Sequence, residues 1–205
     1  MPADRATIAV FDFGNVLLDY DPRYLYRKIF ADAGRMEWFL REVCHSAWIR
    51  DLDRGRPFAE AVAERIAAHP DFAAEIRAFD TRWLETISGP IAASVAMVEA
   101  LRRNRVPVYA ITNFSAEKFA VAREVFSFLA EFDGVVVSGD ERLLKPDAAI
   151  YRLLLDRYGL AASDCLFIDD MLANVEAAQG VGMHGHHFRH PDGLAEELKR
   201  HGFPI

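Results

Sequence analysis

The residues of this chain best equipped for chemistry are three acids and a lysine, most of them placed at the ends of short apolar runs. Ile8-Ala9-Val10-Phe11 leads into Asp12 and then Phe13-Gly14-Asn15-Val16, Val106 to Ile111 leads into Thr112-Asn113, and Cys165-Leu166-Phe167-Ile168 leads into Asp169-Asp170. Lys145, followed by Pro146 and Asp147, stands between the second and third. Taken singly, Asp12 reads as a turn or cap residue and Lys145 as a solvated lysine ahead of a helix. An apolar run closing on a carboxylate also reads as a buried parallel strand that delivers the acid to its carboxyl end. In open α/β sheets ligands bind at that edge. Carboxylates from two such strands make a hard oxygen site suited to Mg²⁺, which takes few protein ligands and keeps water and phosphate oxygens. A hydroxyl, an amide and an ammonium can bind the other oxygens of a phosphoryl group.

These residues need a scaffold, and the surrounding pattern supplies one. A helix with Val95, Val98 and Leu101 precedes the second strand, and Phe119, Ala122 and Phe126 mark another after it. Gly134 to Val137 reads as a strand, Asp147 as the cap of a helix carrying Ile150, Leu153, Leu154 and Tyr158, and Met183 to Phe188 as a last strand before a helix near Leu194. Regular strand and helix alternation predicts an α/β fold, a doubly wound parallel sheet. Between the first strand and Gly89-Pro90 the pattern is helical throughout: Phe58, Val62 and Ile66 form one stripe, and breaks fall near Gly34, at Asp53 to Pro57 and near Pro70. This predicts an all-helical insertion without strands over 21–89, flanked by core segments 1–20 and 90–205. Its aromatic residues read as core, with Trp48 or Arg54 as candidates to face a ligand.

Composition narrows the field. The 205 residues are 52% hydrophobic and 27% charged, enough for one domain with an insertion. A formal net charge of −7 without a basic cluster argues against nucleic acid as a partner. No apolar run is long enough to cross a bilayer, and the start, Met1-Pro2-Ala3-Asp4-Arg5, does not read as a leader. Cys44 and Cys165 read as reduced, packed thiols, which suits a cytoplasmic protein. His184, His186, His187 and His190 crowd one stretch, and His184 and His186 would share a strand face, but with no acid or cysteine beside them they read as a surface strand end rather than a second metal site.

Asp12-Phe13-Gly14-Asn15-Val16, Thr112-Asn113, Lys145-Pro146 and Asp169-Asp170 with Asn174 together resemble the four motifs of the haloacid dehalogenase-like hydrolase superfamily, most of whose members are phosphatases. The insertion after the first motif resembles that family's small helical cap, and the wording of the first motif resembles the branch that includes bacterial glucose-1-phosphate phosphatases. The resemblance implies a Mg²⁺-dependent phosphatase acting on a small phosphorylated metabolite, with sugar phosphates as the leading class, as a monomer or weak homodimer. It implies that Asp12 attacks phosphorus and forms an aspartyl-phosphate, and that Lys145 neutralises charge. Thr112, with Asn113, Asn15 and backbone amides, would bind the phosphoryl group. Asp12, the Gly14 carbonyl and Asp170 would hold the metal; Asp169 would stand behind them or share the metal through water, and Asn174 would orient Lys145 or a metal-bound water.

The first motif departs from the family pattern in one place. Most phosphatases of the superfamily carry a second aspartate two residues after the nucleophile, as general acid and base. Here that position is Gly14, and losing such a group costs on the order of a hundredfold to ten-thousandfold in rate. An acidic leaving group would need less help, and Asp19 or Asp21 could substitute, although both read as turn residues. A dehalogenase needs no proton donor, but Asp169-Asp170 beside an anionic substrate would then lack a compensating cation. A phosphonate-cleaving relative would need a cap lysine, and none lies between Asp32 and Pro90, with Lys28 at the cap's start a poor substitute. A degenerate, non-catalytic binder of phosphorylated ligands is the remaining alternative.

Overall fold

Apolar runs buried on both faces set the architecture. The computed structural model describes residues 5–205; the part of the leader expectation that rests on Met1 to Asp4 lies outside the described residues. Along the chain come β1 (Ile8–Phe11), β2 (Leu18–Tyr20), α1 (Arg23–Tyr26), α2 (Ala33–Glu42), α3 (Ser46–Asp53), α4 (Phe58–Ala68), α5 (Ala73–Thr81) and β3 (Ile87–Pro90). They are followed by α6 (Ala92–Arg103), β4 (Val108–Thr112), α7 (Ala116–Val125), β5 (Gly134–Val137), α8 (Ser138–Glu141), α9 (Ala148–Tyr158), β6 (Cys165–Asp169), α10 (Leu172–Gly180), β7 (His184–His187) and α11 (Pro191–His201).

Five strands form a parallel sheet in the order β5-β4-β1-β6-β7. The chain steps outward from β1 through β4 to β5, then crosses back and steps the other way through β6 to β7. The switch point therefore lies between β1 and β6, where a crevice opens at the carboxyl ends of the strands. Alternate residues feed two cores. Ala9, Phe11, Ala110, Leu166 and Ile168 pack with Val98 and Leu101 of α6 and Leu194 and Leu198 of α11. Val10, Ile111, Val136 and Phe167 pack with Ile150, Tyr151 and Leu154 of α9 and Ala178 of α10. Asp147 caps α9 by accepting the Ala149 N–H at 2.9 Å. Cys44 and Cys165 are free and buried, and burial pushes both thiols up to about 12.

Helices α1 to α5 lie between β2 and β3, and their apolar faces continue the first of the two cores. Tyr26 and Phe39 meet at 4.9 Å, Phe30 and Phe39 at 5.2 Å, and Trp48 and Phe79 at 5.4 Å. Such pairs add about 0.5–1.5 kcal/mol each beyond area burial. The stretch expected to be wholly helical is not: Ile87–Pro90 is a strand, antiparallel to Leu18–Tyr20, with a register shift at Asp19/Tyr20. The outgoing and returning chains run side by side and satisfy each other's backbone groups. A four-residue strand ending in Gly-Pro carries too little alternation to announce itself.

The histidine-rich segment forms the edge strand β7, and its rings have separate surroundings. The His184 Nε2 lies 3.0 Å from the Ser163 carbonyl, the His187 Nε2 lies 2.9 Å from the Asp170 carbonyl, and the His190 Nδ1 accepts the Gly193 N–H that starts α11. Burial holds His186 below the ordinary histidine range. Among the described residues these histidines belong to no group of metal-ligating side chains.

Close backbone approach fixes the start of α8 against the loop before α7. A Cβ on Gly139 would stand 2.4 Å from the Ala116 nitrogen and 2.9 Å from the Phe114 carbonyl, contacts that backbone cannot relieve. Gly139→Ala is expected to destabilise the protein by about 1–3 kcal/mol, the usual cost of overpacking, seen as a lower urea midpoint at unchanged m-value.

Candidate active site

Asp12 leaves the carboxyl end of β1 beside the switch point. Its Oδ1 accepts the Phe13 N–H at 2.7 Å and its Oδ2 lies 2.8 Å from the Lys145 Nζ. Lys145 is fully buried at its side chain and uses all three protons, donating to Asp12, to the Asp169 Oδ2 at 2.7 Å and to the Ile111 carbonyl at 2.9 Å. Burial disfavours the Lys145 ammonium, but Asp12 and Asp169 outweigh it and hold its pKa above the ordinary lysine value. Burial pushes the Asp12 carboxyl upward, while Lys145 pulls it down. The main chain of Lys145 is pinned as well: its N–H donates to the Asn113 Oδ1 at 2.9 Å, and the Asn113 Nδ2 donates back to its carbonyl at 3.1 Å. Asn113 thus joins the end of β4 to the lysine while also lining the cavity beside Asp12. Thr112 is buried as the last residue of β4.

Asp169, at the end of β6, accepts from Lys145, from the Met171 N–H at 2.8 Å, and from the Asn174 Nδ2 at 2.9 and 3.0 Å. Its oxygens are engaged within the protein. Asn174, on α10, therefore reaches Lys145 only through Asp169. Asp170 is half-buried and accepts a side-chain hydrogen bond from Asn15; burial and then Asp169 push its carboxyl upward. Asn15 has φ 54, a left-handed turn conformation, and its Oδ1 also accepts the Tyr20 N–H. One turn residue thereby ties β1, β2 and the acid after β6.

Ligand oxygens of Asp12, Asp169 and Asp170 all lie within 4.8 Å of one another, so two acids from opposite ends of the chain can share one ion. Three carboxylates facing the single Lys145 ammonium carry a formal charge of −2. Uncompensated charge in a buried site is costly. A hard divalent cation fits both that charge and the oxygen donors.

Beside Asp12 and Gly14 a cavity opens beneath α3 to α5. Its walls include Leu18, Tyr20, Ile49, Leu52, Phe79 and Trp83 among the apolar residues, and Asp53, Asn113, Ser115 and Lys118 among the polar ones. Neither Trp48, buried against Phe79, nor the exposed Arg54 lines it; the neighbour between them in the helix end, Asp53, does. Asp53 was hidden in the sequence as part of a loop break before Gly55. Asp19 and Asp21 have structural partners: Asp19 accepts the Tyr24 hydroxyl at 2.9 Å, and Asp21 accepts the Arg23 N–H at 2.9 Å.

A doubly wound α/β core that presents a lysine-bridged pair of aspartates at its switch point, under an inserted helical cover, defines a capped hydrolase. The chain belongs to the haloacid dehalogenase-like hydrolases, whose family profile matches residues 6–182. It is 28% identical over 192 residues to the sesquiterpene phosphatase astK of Aspergillus oryzae, covering 94% of each chain. Among solved structures it is similar to a HAD-like family hydrolase from Porphyromonas gingivalis, with a TM-score of 0.74 at 20% identity over 96% of this chain and 97% of that one. A HAD family enzyme from Bacteroides thetaiotaomicron, solved in complex with magnesium and inorganic phosphate, aligns with a TM-score of 0.69 at 17% identity over 90% and 94% of the two chains.

Removing Lys145 would leave buried carboxylates without a partner. Lys145→Met is expected to destabilise the metal-free protein by about 3–5 kcal/mol at pH 8. The deficit should shrink as pH falls, because the orphaned carboxylates are protonated in the fold before they are in the unfolded chain. Urea unfolding at pH 5 and pH 8 in the presence of a chelator checks both the size and the sign.

Proposed function

We propose that this chain is a Mg²⁺-dependent phosphatase that passes the phosphoryl group of a small monophosphate ester first to Asp12 and then to water. The observation that carries this reading is the Lys145 Nζ held between Asp12 and Asp169 with Asp170 alongside. Burial lifts the Asp12 carboxyl to about 7, Lys145 pulls against it toward the ionised, nucleophilic form, and the backbone bond to Phe13 fixes the carboxylate plane. Asp169 and Asn174 orient the lysine rather than meet the substrate. Thr112 and the backbone amides after Asp12 bind phosphoryl oxygens. The carboxylates of Asp12 and Asp170 and the Gly14 carbonyl would hold Mg²⁺, which when bound supplies the positive charge that offsets the transferring phosphoryl group. The magnesium and phosphate present in the Bacteroides relative support that assignment.

The walls of the cavity bear on the substrate. Sugar phosphates, the class implied by the resemblance of the first motif, need polar partners along the ring. Beyond Asp12 the cavity is lined mainly by Leu18, Ile49, Leu52, Phe79, Trp83 and Ile87, which favours the monophosphate of an apolar alcohol. The sesquiterpene phosphatase relative, by its name, takes a substrate of this kind.

Phosphate release from p-nitrophenyl phosphate is expected with Mg²⁺, to vanish with a chelator, and to fall at least about a thousandfold in Asp12→Asn, since the covalent route is lost. Metal-independent turnover, or an undiminished Asp12→Asn enzyme, would overturn the reading, and halide release from 2-haloacids would replace it with the dehalogenase. In a panel of terpenyl, alkyl and sugar monophosphates, kcat/KM is expected to be highest for the apolar esters. A preference for sugar phosphates would reverse the substrate assignment while leaving the phosphatase standing.

A further inference from the structure

The first motif lacks a proton donor at Gly14, and the reason is not steric. A Cβ on Gly14 would meet nothing within 4 Å, and its φ is not left-handed. A residue that is neither crowded out nor conformationally required leaves room for a donor arriving from elsewhere.

The polar residues of the cavity can be sorted by what already holds them. Asp12 is bound to Lys145, and the Asn113 amide is bound to the main chain of Lys145. The Ser115 Oγ caps α7 by accepting the Lys118 N–H at 3.1 Å, and Lys118 pairs with Asp80 and lies 4.3 Å from the centre of the Phe58 ring. The Tyr20 hydroxyl is pushed far up by burial and the neighbouring Asp53 and Asp21. Asp53 remains, and it sits at the last residue of α3 with its carboxyl accepting the Ser115 N–H.

That helix end is fastened to the core. The Ser138 Oγ donates to the Asp53 carbonyl at 2.6 Å and accepts the Phe114 N–H at 2.8 Å. Gly55, with φ +94, comes so near that its Cβ would stand 2.4 Å from the Gly139 carbonyl. The main chain carrying Asp53 is therefore placed by the core.

Resting on the hydrolase reading above, we propose that Asp53, supplied by the cap, is the general acid and base that the first motif lacks. In the first half-reaction an Asp12 oxygen bonds to phosphorus, the ester P–O bond breaks with its electron pair going to the leaving oxygen, and that oxygen takes the Asp53 proton. In the second, water bonds to phosphorus and gives a proton to the Asp53 carboxylate. The P–O bond to Asp12 then breaks, its electron pair returns to the Asp12 carboxylate, and phosphate departs. A donor must be protonated near neutral pH. Burial, with a smaller push from Asp12, lifts the Asp53 carboxyl to about 8 against the Ser115 N–H and the Lys145 ammonium.

The test compares kcat/KM for p-nitrophenyl phosphate, whose leaving group departs as a stable anion, with that for phenyl phosphate, whose leaving group needs a proton. Asp53→Asn keeps the size of the side chain and an acceptor for the Ser115 N–H. It is expected to raise the ratio of the two values on the order of a hundredfold over wild type, and to abolish the fall in phenyl phosphate turnover above about pH 8. An equal loss on both substrates, an unchanged pH profile, or a wild-type enzyme inactive on phenyl phosphate alone would overturn the role of Asp53 and leave the phosphatase intact. A wild-type enzyme inactive on both would remove the hydrolase reading and this proposal with it.

Discussion

One ammonium between two buried carboxylates is the constraint from which the rest of the site follows. Lys145 touches Asp12 at 2.8 Å and Asp169 at 2.7 Å with no solvent exposure at its side chain. A buried ion pair is tolerated only when its remaining polar atoms are satisfied. Here the third lysine proton goes to the Ile111 carbonyl, Asn174 and the Met171 N–H complete Asp169, and the Phe13 N–H completes Asp12. The ends of three strands therefore converge on one nitrogen. The parallel sheet order is what lets them, because β1 is flanked by β4 and β6 and all three end on the same edge.

The cap is joined to this edge in two ways. The paired strands β2 and β3 carry the chain out and back side by side. At the far side, the Ser138 hydroxyl, the bond from the Phe58 N–H to Glu117 at 3.0 Å, and the Lys118–Asp80 pair fasten α3, α4 and α5 to the core around α7 and α8. Much of the cavity wall is apolar because the same aromatic residues that give the cap its own core also face the cavity; Phe79 packs on Trp48 and Phe58 and lines it. The same side chains thus hold the cap together and line the cavity.

Carboxylates of the cavity are divided between the two parts. The core holds an excess of negative charge that a divalent cation would balance. The cap contributes a carboxyl in apolar surroundings, which favour its neutral form. Burial lifts both acids of the cavity, opposed at Asp12 by Lys145 and at Asp53 chiefly by the Ser115 N–H.

The sheet and the chemistry at its edge were legible in the chain because each strand is a short apolar run closed by a polar residue, and parallel strands must put those residues on one edge. Asp12, Lys145, Asp169 and Asp170 could be named, and the helices with clear stripes, such as that of Phe58, Val62 and Ile66, could be placed. Other features depend on contacts between distant segments. The pairing of Ile87–Pro90 with Leu18–Tyr20 spans some seventy residues and has no periodicity to betray it. Asn113 and Asn15 read in sequence as substrate-binding amides; that their side chains also hold Lys145 and Asp170 is visible only in the fold. Asp53 looks like any acid before a glycine break until α3 is laid against the loop before α7. Local pattern settled which residues reach the sheet edge, since strand direction is enough for that; only tertiary packing decided which of them touch and which cap residue joins them, because contact and desolvation arise from segments far apart in the chain.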